Sequence, residues 1–496
     1  MQKELAVLFL MALMFMQAKP QSYQGLVIDA ETKDPLPFAN IIVGGNSSGT
    51  VANVEGVFVL DVSAMQQNTT VWISYVGYAR QKILLSQLLN QEVIALSPAA
   101  IDLKGFQVST KERDPIEILK LVEERFEENH SVSALKQDIF LHSIDRTPIP
   151  ELSSVKSKRS NFPGLTVELI DTLYAMMPKE FIDYRDVLLT RYTVDDESKI
   201  IPIQAISLEE GGQSEIFKQM EEKMSSFLKD VESAEESEDI YYKIRTGIFG
   251  ARLNDEETED EQQGPETDSI HFNEPTKFIN SSITSILASY ADIESNNLEF
   301  ITDRRKYEYT INRVTLIGEE LVYEIAFEPK RSGLFEGTMH VSMDTYGILQ
   351  LDFAFADGKD DENIQLLGIG HSLSYKKAKV IFENWDSTYV LKYINAQKNE
   401  FISIDRNVSI LKKQKRFLWD KELNQIKLDL ELSLNVQSDI ELLVIDYNPL
   451  DEKTFNKKEE PEWTTYRREL VNDPKLWNNR TVLAPTDKLQ EYKRQR

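Results

Sequence analysis

The sequence predicts a mainly β protein with some α: an N-terminal seven-stranded β-sandwich, a helical connector and a large curved antiparallel β-sheet domain. Three patterns lead to this prediction. Residues 23–100 consist of short alternating strands separated by proline and glycine. Residues 111–250 mix helical and strand periodicities. Residues 270–446 contain a succession of strand-like segments joined by short turns, and the whole chain of 496 residues is long enough for about three domains.

The N-terminus is typical of a secretory signal peptide. Lys3 precedes an uninterrupted apolar run from Leu5 to Met16, and a polar stretch with a proline follows. This run of twelve residues is well short of the ~20 that span a bilayer, so a retained membrane anchor is the weaker interpretation. We predict a signal peptide at residues 1–18, with cleavage near Ala18.

Charge and cysteine content exclude several classes of function. The chain has a formal net charge of −26, which argues against a nucleic-acid partner, because phosphate binding needs a basic surface. It contains no cysteine, so it has no thiol for lipid attachment, no disulfide and no thiolate metal site. The mature chain is therefore expected to be exported and unlipidated.

Two glycines frame a turn in the segment GTVANVEGVFVL. Gly49 and Gly56 stand seven residues apart, and alternating apolar residues follow at 57–60. Glycine tolerates positive φ and close backbone approach, so this pattern predicts a tight turn that leads into a core strand.

Three segments resemble the carboxypeptidase-regulatory-like domain: the glycine-containing segment above, GLVIDAETKDPLPFANIIV before it and ISYVGYARQKILL after it. That domain is a transthyretin-like β-sandwich found in outer-membrane transporters and secreted proteins. The resemblance lies at Gly25, Asp29, Pro35, Pro37, Ala39, Gly49, Thr50, Gly56, Phe58, Ser74, Gly77 and Tyr78. It implies that the turns and core of the sandwich include Gly25, Pro35, Pro37, Gly49, Gly56, Phe58, Gly77 and Tyr78. Ala52 and Asn53 replace the usual Thr and Asp, which weakens the case for a side-chain cap at this turn.

The connector at residues 111–250 is predicted to be mixed α/β. Asp114 and Pro115 are typical of a helix start, and residues 213–234 read as an amphipathic helix. Residues 254–269 are almost entirely polar and acidic, so we predict a disordered loop there. The segments DIYYKIRTGIFG and YEYTINRVTLIGEELVYEIAFEP resemble an uncharacterised outer-membrane-associated family.

The sheet domain at residues 270–446 alternates apolar and polar residues, as in Leu351 and Phe353 against Asp352. One face must therefore be covered by a helix, a partner or an apolar ligand. Such a half-open sheet is similar to the lipoprotein-carrier fold. Residues 447–496 contain Trp463, Tyr466 and Trp477, which predicts a strap that docks onto the sheet.

A zinc-peptidase hypothesis rests on three residues. His271 and Glu274 have His-x-x-Glu spacing, and His371 follows almost a hundred residues later. His271 adjoins the acidic run, so these residues are weak metal candidates, and we predict no metal site and no cofactor. No Walker loop, Gly-x-Ser-x-Gly or dinucleotide fingerprint occurs in the sequence.

The sequence thus favours a non-enzymatic, exported binding or scaffold protein of the cell envelope. We expect it in the periplasm, associated with the outer membrane, where β-sheet surfaces bind an outer-membrane or periplasmic protein. One alternative is a carrier that holds an apolar ligand or lipid in the curved sheet. A second is a zinc carboxypeptidase-like hydrolase.

Overall fold

The computed structural model describes residues 22–44, 48–99, 114–150, 155–208, 213–235, 239–246, 249–252, 271–366, 368–417 and 419–486. The predicted signal peptide at residues 1–18 and the predicted acidic loop at residues 254–269 lie outside the described residues. In the described part of the chain, no helix is both long and apolar enough to cross a membrane.

Strands and helices have the following bounds. The strands are β1 Ser22–Asp29, β2 Asn40–Val43, β3 Gly49–Val51, β4 Val57–Asp61, β5 Thr70–Ser74, β6 Gln81–Leu84, β7 Val93–Leu96, β8 Ala134–Pro148, β9 Val155–Ser160, β10 Glu180–Val194, β11 Glu197–Leu208, β12 Ile240–Thr246, β13 Phe249–Arg252, β14 His271–Pro275, β15 Tyr307–Ile317, β16 Glu320–Pro329, β17 Phe335–Ser342, β18 Ile348–Phe355, β19 Asp361–Leu366, β20 Ile369–Trp385, β21 Thr388–Gln414, β22 Lys421–Pro449 and β23 Trp463–Glu469. The α-helices are α1 Leu85–Leu88, α2 Pro115–Glu124, α3 Phe126–His130, α4 Val167–Met176, α5 Gln213–Glu235, α6 Thr276–Tyr290, α7 Glu299–Thr302 and α8 Glu452–Asn456, and short 3-10 turns cover Asn296–Leu298, Arg304–Lys306 and Pro474–Trp477.

The first seven strands form the predicted sandwich. One sheet has the order β4-β1-β7 and the other the order β3-β2-β5-β6. Inward-facing residues such as Val27, Ile41, Phe58 and Ile73 are fully buried between the sheets. Alternation on both sheets supplies this core, and the mainly β fold class predicted from sequence is confirmed.

Gly49 is the first residue of β3 and Gly56 lies in the turn between β3 and β4, and both positions require glycine. A Cβ on Gly49 would lie 1.9 Å from the carbonyl oxygen of Ile41 on the paired strand, and Gly56 has a left-handed φ of 77°. Asn53 caps this turn, because its Oδ1 accepts hydrogen bonds from the N–H groups of Glu55 and Val57 at 2.9 and 3.0 Å. Asn53 therefore provides the side-chain cap for which the resemblance gave little support.

A single 16-stranded sheet contains all of the remaining described strands. Its main path is β14-β23-β11-β10-β8-β22-β21-β20-β18-β17-β16-β15, with β9, β12, β13 and β19 paired at its sides. Neighbours are antiparallel except β11 and β23. The segment predicted as a connector contributes β8, β10 and β11 to the middle of this sheet, between β22 and β23. Long-range pairing with β22 places them there, and a local sequence pattern carries no such information.

Helices cover one face of the large sheet, which we call the helix-covered face. The helices α2, α6 and α7 contribute Leu119, Ile283 and Phe300 to its core. These side chains share one apolar cluster with Leu351 and Phe353 of the sheet. The apolar side of the alternation predicted from sequence is therefore covered by helices of the same chain.

The sandwich and the C-terminal strap cover the opposite face, which we call the sandwich-covered face. Phe140, Tyr393 and Leu443 point to this side of the sheet. They pack with Val51 of the sandwich and with Trp477 of the strap. Both faces of the sheet are thus covered.

Strands β21 and β22 extend beyond the body of the sheet as an arm. We define the arm as residues 405–417 and 419–431, which lie past the last pair between β20 and β21, Ile369 with Ile404. Strands β9 and β12 pair with its sides, and α5 packs against β12. A small separate core stabilises the arm, with Phe162, Phe227 and Tyr242 buried together.

We expect Gly49→Ala to lower the free energy of unfolding by about 3 kcal/mol, because the added Cβ forces β2 and β3 apart. Gly44→Ala is the matched control. Gly44 also has a positive φ, of 72°, but a Cβ there meets no atom of the described residues within 4 Å, so we expect a loss of only about 1 kcal/mol. Urea unfolding of the full chain measures both, and equal losses would contradict the steric argument.

Candidate functional site: an open sheet edge beside the sandwich

The main sheet ends at β15, a strand of 11 residues. Among the described strands that end a sheet or its side branches, β15 is the longest, and no described strand lies on its outer side. A strand edge carries backbone N–H and C=O groups that can accept another strand. This edge is therefore the first candidate binding surface.

The sandwich is fixed against one end of β15. The N–H of Gly77 donates to the carbonyl of Leu316 at 2.8 Å, from a turn in which Gly77 has a φ of 81°. Arg80 lies 3.9 Å from Glu319, in the turn that follows β15. The edge is thus closed at Leu316 and open toward Tyr307.

The contact with Gly77 also shows which backbone groups face outward. The carbonyl of Leu316 points away from β16, toward the sandwich. The pair of Leu316 with Leu321 therefore belongs to the class of pairs whose residue on β15 directs its backbone groups outward. The same class contains the pairs of Tyr309, Ile311 and Val314 with Phe327, Ile325 and Tyr323. Because backbone direction alternates along an antiparallel ladder, these three residues of β15 direct their N–H and C=O groups to the open side.

A β-bulge interrupts the edge. The register shifts between Ile311 and Arg313, so Asn312 is the additional residue on β15. Arg313 is exposed and donates to Glu324 of the next strand at 2.9 Å. Bulges and charges on an edge disfavour pairing with flat, unrelated strands, so a partner strand has to fit this geometry.

The sandwich has four edge strands, β3, β4, β6 and β7, and all of them are short. Strands β6 and β7 end its two sheets, each with four residues, and Leu84 and Val93 are 39% and 47% exposed there. These edges are candidates for the strand addition predicted for the sandwich, but they offer less than half the length of β15.

A cavity of about 200 Å³ lies at the junction of the sandwich, the sheet and the C-terminal strap. Phe140, Trp477 and Leu483 form part of its apolar lining. His142 and Asp186, only 8% and 5% exposed, line its polar side. We call this space the junction cavity.

The polar groups of the junction cavity form hydrogen-bonded pairs. His142 Nδ1 donates to Asp186 Oδ1 at 2.7 Å, and the hydroxyl of Tyr184 donates to Asp186 Oδ2 at 3.0 Å. The neighbouring Glu441 accepts hydrogen bonds from the Tyr393 hydroxyl and from Asn395 Nδ2. The arrangement joins β8, β10, β21 and β22 beneath the sandwich and needs no added ligand to satisfy Asp186.

Burial and charge act in opposite directions on His142. Desolvation lowers its pKa, but the carboxylates of Asp186, Glu441 and Asp439, together with the hydrogen bond to Asp186, raise it, and the net shift is upward. The buried imidazolium is therefore stabilised by acidic neighbours. This is a structural ion pair that holds β8 and β10 together on the sandwich-covered face.

The structure does not bring the three zinc candidates together. His271 and Glu274 lie on β14 and His371 lies on β20, with six strands between them along the sheet. Glu274 accepts a hydrogen bond from Arg185 at 2.7 Å, and His371 lies 3.7 Å from Glu400. Among the residues that the structure describes, no group of three or more His, Cys, Asp or Glu is placed to hold a metal ion.

Between α6 and the strands beneath it, side chains fill the helix-covered face and leave no acyl-sized space. A cavity of about 90 Å³ lies between α6 and the strands β8 and β10, lined by Leu141, Val187 and Ile279. Ligand pockets have volumes of about 300 to 1,000 Å³, so this space is too small for an acyl chain. The packing here does not favour the carrier hypothesis.

Sequence reasoning missed the edge at β15 and the pair of His142 with Asp186. His142 lies in the predicted strand DIFLHSID, where a single polar residue interrupts apolar ones. That interruption was the available signal for a buried ionisable group. Asp186 has no such signal, because its proximity to His142 depends on the pairing of β8 with β10.

Comparison with known proteins identifies one domain. Residues 23–108 match the family model of the CarboxypepD_reg-like domain. The match confirms the resemblance described for the sandwich and covers less than half of the chain. No curated protein sequence matches the chain at a significant level.

Three solved structures are similar at a low level. A crystal structure of MucB in complex with MucA(peri) has 7% identity and a TM-score of 0.19, and the match covers 68% of this chain and 100% of that chain. A LolA superfamily protein from Nitrosomonas europaea has 10% identity and a TM-score of 0.16 over 69% and 96% of the two chains. The MucA/MucB complex of Pseudomonas aeruginosa has 10% identity and a TM-score of 0.17 over 68% and 100%. Likenesses at these TM-scores do not identify a fold or a function.

We expect the melting temperature to fall as the pH rises above about 6.5, through the titration of His142. The folded pKa of His142 is raised, so its stabilisation is complete below the unfolded pKa and is lost as the pH rises through the folded pKa. The titrations of His130 and His340 affect the melting temperature in a more acidic pH range, because burial lowers the pKa of each to about 4. Thermal unfolding of His142→Gln between about pH 6 and 9 measures the effect.

In His142→Gln the fall of the melting temperature above about pH 6.5 should disappear. The matched control His371→Gln, which changes a half-buried residue of β20, should retain this fall. An unchanged slope in His142→Gln would show that His142 does not carry a proton in the folded state.

Proposed function

We propose that this protein is a non-enzymatic, exported binding or scaffold protein of the cell envelope. It binds an outer-membrane or periplasmic protein by accepting one of the partner's strands on β15. The single observation that carries the proposal is the open edge of β15, 11 residues long and fixed beside the sandwich.

Main-chain hydrogen bonds provide part of the affinity. Tyr309, Ile311 and Val314 each direct one N–H and one C=O outward, and six such bonds contribute roughly 6 kcal/mol before the cost of ordering the partner strand. This is too little for tight binding, so side-chain contacts must add to it. Exposed Glu308 and Thr310 on β15 are available for such contacts.

The sandwich acts as a fixed wall at the end of the edge. Asn53 donates to the carbonyl of Ala484 at 3.3 Å, and Thr481 accepts from the N–H of Asp61 at 3.1 Å, so the C-terminal strap ties the sandwich to the sheet. A strand that pairs with β15 meets Gly77 and stops there. The sandwich thereby sets the register of the partner.

Affinity purification from detergent-solubilised envelopes of the native cells tests the proposal. We expect wild-type protein to recover a partner in stoichiometric amount, identified by mass spectrometry. Ile311→Pro should lose this partner, because proline removes an outward N–H without removing a ladder hydrogen bond. Ile311→Val keeps the N–H and is the matched control, which should retain the partner.

Circular dichroism and the melting temperature establish that Ile311→Pro is folded. Recovery of the wild-type protein without a partner would overturn the proposal, and so would capture of the same partner by folded Ile311→Pro.

The non-enzymatic part of the proposal has its own test. Glu274 binds Arg185, and β14 is separated from β20 by six strands, so we expect neither stoichiometric zinc in the purified protein nor hydrolysis of peptides. Metal analysis and a carboxypeptidase assay measure this. Zinc-dependent hydrolysis that disappears in Glu274→Gln would establish the peptidase instead.

A further inference from the structure

The turn at the end of the arm exposes two aromatic side chains. Phe417 is 101% exposed and Trp419 is 77% exposed, the two highest values among the large apolar residues that the structure describes. We call residues 415–417 and 419–421 the arm tip. Isolated exposed apolar residues are common on protein surfaces, but two nearly bare aromatic rings on one projecting turn are not.

The arm tip is held in place by its neighbours. The N–H of Lys415 donates to the carbonyl of Asp239 at 2.7 Å, and the hydroxyl of Tyr241 donates to Asp420. Strand β12 starts beside the tip, where Ile240 pairs with Gln414. The rings are therefore presented to solvent by an anchored turn, and the described chain does not fold back to cover them.

The arm tip also projects from the body of the protein. Along β21, Gln414 lies ten residues beyond Ile404, the last partner of β20. At about 3.3 Å per residue, the tip lies about 30 Å beyond the end of β20. A surface that meets the tip can thus contact it without touching the sandwich or the edge at β15.

Charge at the arm tip is opposite to that of the whole protein. Residues 412–421 contain five basic residues and one acidic residue, in a chain with a net charge of −26, and one of the five, Lys412, is paired with Asp230. Lys415, Arg416 and Lys421 are exposed around the two aromatic rings. A basic rim around an apolar centre attracts an anionic surface that has an apolar interior.

We infer that the arm tip inserts Phe417 and Trp419 into the interfacial region of an anionic lipid membrane, while Lys415, Arg416 and Lys421 bind the lipid headgroups. Aromatic rings prefer this region of a bilayer, and adjacent basic residues add attraction to anionic lipids. Two aromatic side chains bury about 500 Å² at most, which is well below the ~800 Å² per partner in a standard protein interface. The size of the patch therefore favours a membrane over a protein partner.

This inference uses the export proposed above but does not depend on the partner of β15. Lipid attachment at the tip leaves β15 free for a protein strand, because the two sites are on different elements of the sheet. Ile311→Pro should consequently bind vesicles as the wild type does, so that failure of either proposal is seen separately.

Vesicle flotation with the full chain tests the inference. We expect the wild type to float with vesicles of equimolar phosphatidylcholine and phosphatidylglycerol, and to bind vesicles of phosphatidylcholine alone much less. The double variant Phe417→Ser, Trp419→Ser should reduce binding to the anionic vesicles by about tenfold or more. Lys415→Gln with Arg416→Gln should remove most of the salt dependence of binding.

Phe278→Ser is the matched control, because Phe278 is 55% exposed on α6, away from the arm. It should bind like the wild type. No binding of the wild type to anionic vesicles would overturn the inference, and so would undiminished binding of the double aromatic variant. If that variant binds vesicles normally but loses a protein from the envelope purification, the arm tip is a protein-docking site instead.

Discussion

The structure depends on one constraint: a large sheet with apolar residues on both faces has to be covered twice. Leu442 and Leu443 are adjacent on β22, yet the first packs on the helix-covered face and the second on the sandwich-covered face. Helices α2, α6 and α7 exclude water from one side, and the sandwich with the C-terminal strap excludes it from the other. Because successive side chains of a strand point to opposite faces, neither cover can be removed without exposing the apolar residues of the face beneath it.

Two pairs of ionisable groups are buried within this doubly covered sheet. His142 is matched by Asp186, and Lys392, which is fully buried, lies 3.7 Å from Glu383. Burial lowers the pKa of Lys392 and raises that of Glu383, so desolvation disfavours the charged form of both side chains. Such pairs add little net stability, but removal of one partner leaves a costly buried charge, and they thereby fix how the strands and the sandwich meet.

We expect binding sites where the sheet is not covered by other parts of the chain. The outer side of β15 leaves backbone groups available, and the arm tip leaves two aromatic rings in water. Each is held by the contacts beside it, through Gly77 at the edge and Asp239 at the tip. Anchored surfaces lose little conformational entropy on binding, which is why both are better sites than a mobile loop of the same composition.

The sequence alone determined the local features: the sandwich at its N-terminus, the need for glycine at Gly49 and Gly56, the helix that follows Asp114 and the many strands of the second half. These follow from alternation, capping and backbone freedom, which act over a few residues. Only the tertiary structure decided that β8, β10 and β11 enter the same sheet, that His142 meets Asp186, and that β15 rather than a sandwich strand is the long open edge. Strand order and register depend on contacts between residues far apart in the chain, and a single sequence does not contain those contacts in any local pattern.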